Sequence, residues 1–448
     1  MTADPTKMAI LANAIRATAD EMGAILVRSA FSTILREARD CSTAVLDAEG
    51  NVVAQAEMIP IHNGGLSEAF RASAKQLDLS AVDEHSAIVL NDPFSGGQHL
   101  NDIIIFQPIL WKGELVGWAG NTAHHLDIGG GGAGINIEAS ELIEEGIVTP
   151  PILVDVQRDL NGGPLERMLF ANIRSAELGR GDLYAQLAAN RTGIERLKEL
   201  LAREGAPAIR QAMAEALVYV ERRMAAAIAQ LPDGTWTGEA QIDSDVGGGD
   251  PLVVRTTVAV RDGHMTLDFA GTDPQVRSMF NSSRSSSLAA IISAVRCVLA
   301  DKDIPANDGL AKVLDIRLPQ GSILNPDPGL PVRARIEVSY RAVDAVHQAL
   351  AQAVPDKVPA EGFNSTTGLY LVQSRPGGGM RIYGDVLGGG YGAGPDYDGA
   401  HALAGILSSS RNTPIEAIEQ VHPHIRMKGY ALVQDSCGAG RWRGGLGF

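Results

Sequence analysis

The segment 91–130, NDPFSGGQHLNDIIIFQPILWKGELVGWAGNTAHHLDIGG, decides how this chain is organised. Its apolar stretches 103–111 and 115–119 are rich in β-branched and aromatic residues and flank Lys112-Gly113, so they predict two antiparallel strands joined by a tight turn. A polar cluster stands at each open end of that hairpin: His99 and Asp102 before the first strand, and His124, His125 and Asp127 after the second. Folding the hairpin brings the two clusters toward each other. In extended chain, residues at odd separation point to opposite faces, so His99 and Asp102 share a ligand only if the chain turns there. Gly96-Gly97 just upstream suits such a turn. The same rule lets at most one of His124 and His125 face a common ion. Two imidazoles and a carboxylate suit zinc, iron or manganese, and three protein ligands with an open position describe a catalytic site more than a structural one. The plainer reading of a lone His-x-x-Asp is a surface hydrogen bond.

Composition narrows the function classes. The 448 residues suffice for several structural units, and with 45% hydrophobic and 20% charged side chains the chain reads as globular. An excess of 53 acidic over 38 basic residues, a formal charge of -15, argues against a nucleic-acid or anionic-membrane surface. Cys41, Cys297 and Cys437 are odd in number and far apart, which gives neither a disulfide framework nor a CxxC metal knuckle. With no apolar run of 18 residues and no signal pattern, a cytoplasmic location is expected. The 50 glycines gather at 129–134, 247–249, 377–379, 388–394 and 438–447, as loops that approach something closely would require.

Around the hairpin the pattern is mixed α+β. Asp4-Pro5-Thr6 opens an amphipathic helix to about Phe31. Asp40 stands at the start of the strand that begins at Cys41, where an aspartate is commonly a capping or turn residue. His62-Asn-Gly-Gly reads as a polar turn, 66–77 as a helix and 87–90 as a buried strand. Residues 159–164 read as a loop, and 165–231 as two long helices parted by Gly205 to Pro207. Beyond Pro232, a hairpin at 253–269, a Ser/Asn-rich loop at 281–287, helices at 288–300 and 339–354, and strands at 311–318 and 368–372 follow. The expected divisions are 1–164, an α/β unit carrying the metal site; 165–231, helical; 232–355, α+β; and 356–448, a glycine-rich β-containing region. Asn281-Ser-Ser and Asn364-Ser-Thr match the glycosylation pattern by coincidence, since no export signal accompanies them.

Several motifs fail. Gly129, Gly131 and Gly134 fit GxGxxG, but no helix with a ribose-binding acid follows. There is no phosphate-binding GxxxxGK[ST] and no GxSxG nucleophile elbow.

Seven ordered segments carry a resemblance: NDPFSGGQHLND (91–102), NTAHHLDIGG (121–130), EGIVTPP (145–151), GDLYAQLAANRTG (181–193), AGTDPQ with a following NSS (270–283), NTPIEAIEQ (412–420) and DSCGAGRWRGGLG (435–447). In order and spacing they resemble the hydantoinase B/oxoprolinase family, β-type subunits of ATP-dependent lactam and hydantoin hydrolases, a group that includes a large subunit of acetone and acetophenone carboxylases. The resemblance implies a metal held by Asp40, His99, Asp102 and His124, zinc first, with manganese or iron as alternatives. His125 and Asp127 become proton-transfer candidates beside it, and Gly129, Gly130, Gly389 and Gly390 candidates for lining the substrate pocket. It further implies a hetero-oligomer with an ATP-binding hydantoinase A-type subunit. That partner phosphorylates the amide oxygen of a cyclic amide, and this chain, its metal activating water, opens the ring. The alternatives are a carboxylase component that acts on a ketone-derived phosphoenol, and a non-catalytic subunit. The last is suggested by an expected C-terminal portion beyond Phe448, because relatives continue past the GRxRGGxG segment. Cys437 stands where that pattern has glycine.

Overall fold

Asp4 accepts a hydrogen bond from the Thr6 backbone at 3.0 Å and Pro5 fills the first helical position, which starts helix α1, Pro5–Ser29. The computed structural model describes residues 4–246, 248–365, 367–375 and 379–448; Gly247, Gly377 and Gly378 of the glycine clusters, and Thr366 of the second glycosylation pattern, lie outside them. After α1 come α2 (Thr33–Arg36), β1 (Cys41–Asp47), β2 (Val52–Gln55), α3 (Pro60–Asn63), α4 (Leu66–Gln76) and β3 (Ser86–Leu90). The central hairpin is β4 (Asp102–Trp111) and β5 (Glu114–His124), followed by α5 (Leu142–Glu145), β6 (Ile152–Asp155), α6 (Pro164–Ala171), α7 (Ala176–Glu204) and α8 (Ala206–Ile228). Then follow β7 (Gly234–Ile242), β8 (Leu252–Arg261), β9 (His264–Asp268), α9 (Arg284–Leu299), β10 (Leu314–Arg317), α10 (Arg335–Ala353), β11 (Thr367–Ser374), β12 (Met380–Leu387) and α11 (Ile415–Val421).

The hairpin is the centre of a six-stranded antiparallel sheet ordered β2-β1-β5-β4-β3-β6. Lys112 and Gly113, both at positive φ (53° and 83°), form its two-residue turn, as expected of the Lys-Gly pair. The second strand runs five residues further than its apolar stretch. Gly120 and Asn121 have little strand preference of their own, but β1 pairs with them on one side and β4 on the other. Gly120 is required there, because a Cβ would lie 2.8 Å from the Phe106 ring.

Parity divides the sheet into two faces. Even-numbered Ala44, Leu46, Ile104, Phe106 and Trp118 pack under α4, where Phe70 meets the Phe106 ring edge-on at 5.4 Å and Trp118 at 5.0 Å. Each such buried ring contributes roughly 1.5–3 kcal/mol. Odd-numbered Cys41, Val45, Ala119 and Ala123 pack under α1, α7 and α8, joined by Ile382 and Val386 of β12. A separate core lies between the four-stranded sheet β10-β9-β8-β7 and helices α9 and α10.

The long helices break at Gly205 as expected, its φ of 83° ending α7. Residues 156–160 form one helical turn and Pro164 already begins α6, where the sequence suggests a loop. Strand β7 falls in the β region beyond Pro232, its half-buried and exposed residues alternating, and β12 is held by antiparallel pairing with β11. Among the described residues no helix is long and apolar enough to cross a membrane.

Candidate functional site

Asp102 is the first residue of β4 and His124 the last of β5, and they pair directly across the ladder. Because Cys41 pairs with Ala123, Asp40 extends the same row, and its carbonyl accepts the His124 N–H at 3.0 Å. Three neighbouring strands thus end in Asp40, His124 and Asp102, all even-numbered and all on the face that α4 covers further along. His99 comes from the turn just upstream, where Gly96 adopts φ 89° and a Cβ would strike the Ala69 backbone at 2.6 Å. The turn that the His99 to Asp102 spacing demands is therefore present, closed by Asp102 N–H donating to the His99 carbonyl at 3.0 Å. Arg39, at φ 59°, turns the chain just ahead of Asp40.

The side chains converge. His99 Nδ1 lies 2.9 Å from Asp102 Oδ2, His124 Nδ1 3.5 Å from Asp102 Oδ1, and the two imidazole rings are 4.9 Å apart. One ligand atom from each of His99, Asp102 and His124 falls within 4.8 Å of the others, and all three residues are buried. Asp40 Oδ2 is 3.7 Å from His124 Nδ1, next to this triad but outside the tightest group. Asp102 Oδ1 and His124 Nε2 are buried without a hydrogen-bond partner among the described residues, while His99 Nδ1 faces only the Asp102 carboxylate. Orphaned donors and acceptors of this kind are unfavourable unless something else engages them, and a neutral imidazole pair with a carboxylate is the donor set a divalent cation takes. The residues therefore fit a metal.

Electrostatics keeps the groups in ligand-ready form. Burial opposes ionisation of Asp102, but His99, Arg335 and His62 outweigh it and hold the carboxyl well below its ordinary range. Burial, aided by the Arg335 charge, holds His99 neutral well below the usual imidazole value.

Two residues of this centre carry no mark in the sequence. His62, which reads there as part of a polar turn, is buried on α3 with Nε2 3.6 Å from Asp40 Oδ1 and 3.5 Å from Asp102 Oδ1. Arg335, at the start of α10, places Nη2 2.6 Å from Asp102 Oδ2 across 233 positions of sequence. Asp40, His62, His99 and His124 line a cavity of about 300 Å³ with Arg333, Arg335 and Tyr370, beside apolar residues such as Ile61, Ile135, Met279 and Phe280. A larger cavity of about 520 Å³ shares Ile59, but its acids are matched to arginines (Arg71 to Asp308 at 3.2 Å, Arg296 to Glu57 at 3.2 Å) and the triad is not in it.

The structure does not bring the other expected residues to the triad. Alternation turns His125 to the opposite face, where Nε2 meets Gln186 Oε1 of α7 at 3.0 Å; burial lowers its pKa. Asp127 instead accepts from the backbone N–H groups of Arg174 and Ser175 and so anchors the start of α7. Gly129 and Gly130 adopt positive φ against Asn172 and against 144–146, while Gly389 packs on Phe363 and Gly390 on Gly445; none of the four lines the cavity.

The whole chain has known relatives. Residues 4–448 match the family described as Hydantoinase B/oxoprolinase. The chain is 32% identical to the B-type component of a putative D-/L-hydantoinase of Pseudomonas sp. (strain NS671), over 99% of this chain and 77% of that protein. It is 30% identical to the beta component of the caprolactamase of Pseudomonas jessenii, over 100% of this chain and 77% of the relative. The fold is similar to the crystal structure of the ATP-dependent caprolactamase from Pseudomonas jessenii, with a TM-score of 0.90 at 28% identity, covering 100% of this chain and 78% of that one. It is also similar to nucleotide-free acetone carboxylase, with a TM-score of 0.89 at 21% identity, covering 99% of this chain and 61% of the other, a likeness of fold alone. Mixed helices and antiparallel sheets in one shared architecture, and a match running almost end to end, place this chain in the hydantoinase B/oxoprolinase family.

Proposed function

We propose that this chain is the metal-binding catalytic subunit of an ATP-dependent hydrolase that opens a cyclic amide of the hydantoin, oxoproline or lactam type. The carrying observation is the buried ligand set of His99, Asp102 and His124, with His99 and His124 on the wall of a cavity of about 300 Å³, in a member of this family. Asp40 is the fourth ligand in this reading, and zinc, manganese or iron the candidate ions. A divalent cation there supplies Lewis acidity, which polarises a carbonyl or phosphoryl oxygen and acidifies water. His62 orients the two carboxylates, its Nε2 facing Oδ1 of both. Arg335 fixes Asp102 from the other side. Apolar residues of the cavity wall lower the local dielectric, which strengthens the charge interactions beside them. No phosphate-binding loop occurs in the sequence, so ATP use falls to a hydantoinase A-type partner that delivers a phosphorylated substrate.

The test is co-purification with the product of a neighbouring gene of A type, followed by ATP turnover with lactam, hydantoin or 5-oxoproline. Ring opening that needs both chains and ATP, and that disappears in His99→Ala, is expected. ATP consumption that responds only to a ketone plus bicarbonate would instead favour the carboxylase reading.

A further inference from the structure

Arg333 is a buried cation whose side-chain hydrogen bonds go to neutral groups. It belongs to the wall of the cavity lined by His99 and His124, and the residue is only 9% exposed. Among the described residues Nη1 donates to Asn101 Oδ1, Nη2 to the Tyr370 hydroxyl at 3.3 Å, and the group sits 5.9 Å from the Tyr370 ring centre. Glu145 accepts from the Arg333 backbone N–H at 2.8 Å, not from the side chain. Glu337, another acid of the cavity wall, accepts from Ser365 Oγ at 2.7 Å. Two positions beyond Arg333, Arg335 shows the contrast, with the Asp102 carboxylate at 2.6 Å.

A guanidinium taken out of water without a directly bonded counter-charge is strongly unfavourable, and natural chains retain one where a ligand completes the pair. Two of the five guanidinium N–H groups are engaged, which leaves three for a planar or tetrahedral oxyanion. Arg335 Nε, on the same cavity wall, is a further buried donor without an acceptor among the described residues. Asn101 and Tyr370 hold the Arg333 head in place without cancelling its charge, which is how a preformed anion seat is built.

We infer that Arg333 anchors an oxyanion carried by the substrate. The ligand class is then a small molecule with a compact apolar skeleton, seated against residues such as Ile135, Met279 and Phe280, and one phosphate or carboxylate group on Arg333. This rests on the reading of the cavity as the place where substrate binds.

Titration calorimetry on the chain decides it, with inorganic phosphate, 5-oxoproline as the carboxylate probe and 2-piperidone as the neutral lactam. Wild type binds an anion in preference to the neutral lactam, and Arg333→Met weakens that anion at least about tenfold while metal content and unfolding midpoint stay unchanged. Loss confined to phosphate identifies a phosphoryl group as the natural occupant, and loss confined to 5-oxoproline identifies a carboxylate. Equal anion affinity in wild type and Arg333→Met, or no anion binding by wild type, overturns the inference. Should Arg333→Met fail to fold, Arg333→Lys serves: a several-fold loss supports the seat, because the charge stays and the fork geometry goes, and undiminished affinity refutes it. Metal content reads the proposed function and the anion titration reads Arg333, so either can fail alone.

Discussion

One carboxylate, Asp102, is shared by His99, His124, His62 and Arg335, all within 3.5 Å, and it has no exposure to solvent. That sharing separates two consequences of mutation. Asp102→Ala removes a proposed ligand and also strands the Arg335 charge, so a destabilisation of about 3–5 kcal/mol is expected by urea unfolding, together with loss of bound metal. His99→Ala removes a proposed ligand without stranding a charge. Metal per chain should fall at least about tenfold by elemental analysis, with a stability change of no more than about 2 kcal/mol. Full metal occupancy in both variants would remove the ligand assignment. At this scale the sequence is informative where the residues are local: His99, Asp102 and one of His124 and His125 follow from one hairpin and its alternation, while the choice of His124 needs the resemblance, as does Asp40, because a lone aspartate before a strand is usually a cap. His62 and Arg335 are not legible, since a histidine in a turn and an arginine 233 positions away carry no local mark of shared burial.

Strand β5 and helix α7 show how the hairpin is held from behind. Gln186 of α7 donates to the Ile103 carbonyl and to Asn121 Oδ1, each at 2.8 Å, and faces His125; Asn190 reaches the Ile105 carbonyl at 3.2 Å. These polar side chains sit where the helical pattern of 165–231 suggests plain apolar packing, so periodicity reveals the helix but not its polar interface. Gln186→Ala leaves Asn121 Oδ1, the Ile103 carbonyl and the His125 imidazole short of partners in the interior, and a loss of about 2–3 kcal/mol in unfolding free energy is expected. Metal content should hold at the wild-type level in Gln186→Ala and in His125→Ala, because both residues lie on the face away from the triad. A drop in metal equal to that of His99→Ala would place His125 at the centre after all.

Across the whole molecule, the site is built from segments far apart in the sequence, and the joint between them is sensitive to rising pH. Glu145, at the end of α5, accepts the backbone N–H groups of Val332 at 3.2 Å and Arg333 at 2.8 Å, which fixes the approach to α10 and so the placement of Arg333 and Arg335. Burial pushes the Glu145 carboxyl up to about 7, even though those two N–H groups and the Arg333 charge pull the other way. An unfolded chain ionises Glu145 near its ordinary 4.5, so between about 4.5 and 7 the folded chain holds the extra proton. Stability from this group is therefore highest below that window, declines as pH rises through it and levels off above. The drop is on the order of 3 kcal/mol, at about 1.4 kcal/mol for each pH unit. Glu145→Gln cannot titrate, and its amide satisfies one of the two N–H groups while its own N–H₂ faces the other. That variant should be less stable than wild type at pH 5 and lose less on going to pH 7.5. Urea unfolding of both chains at the two pH values checks the point: the difference between wild type and Glu145→Gln must shrink or reverse as pH rises, and a difference that stays constant would mean that Glu145 is already ionised throughout, with the joint to α10 indifferent to pH.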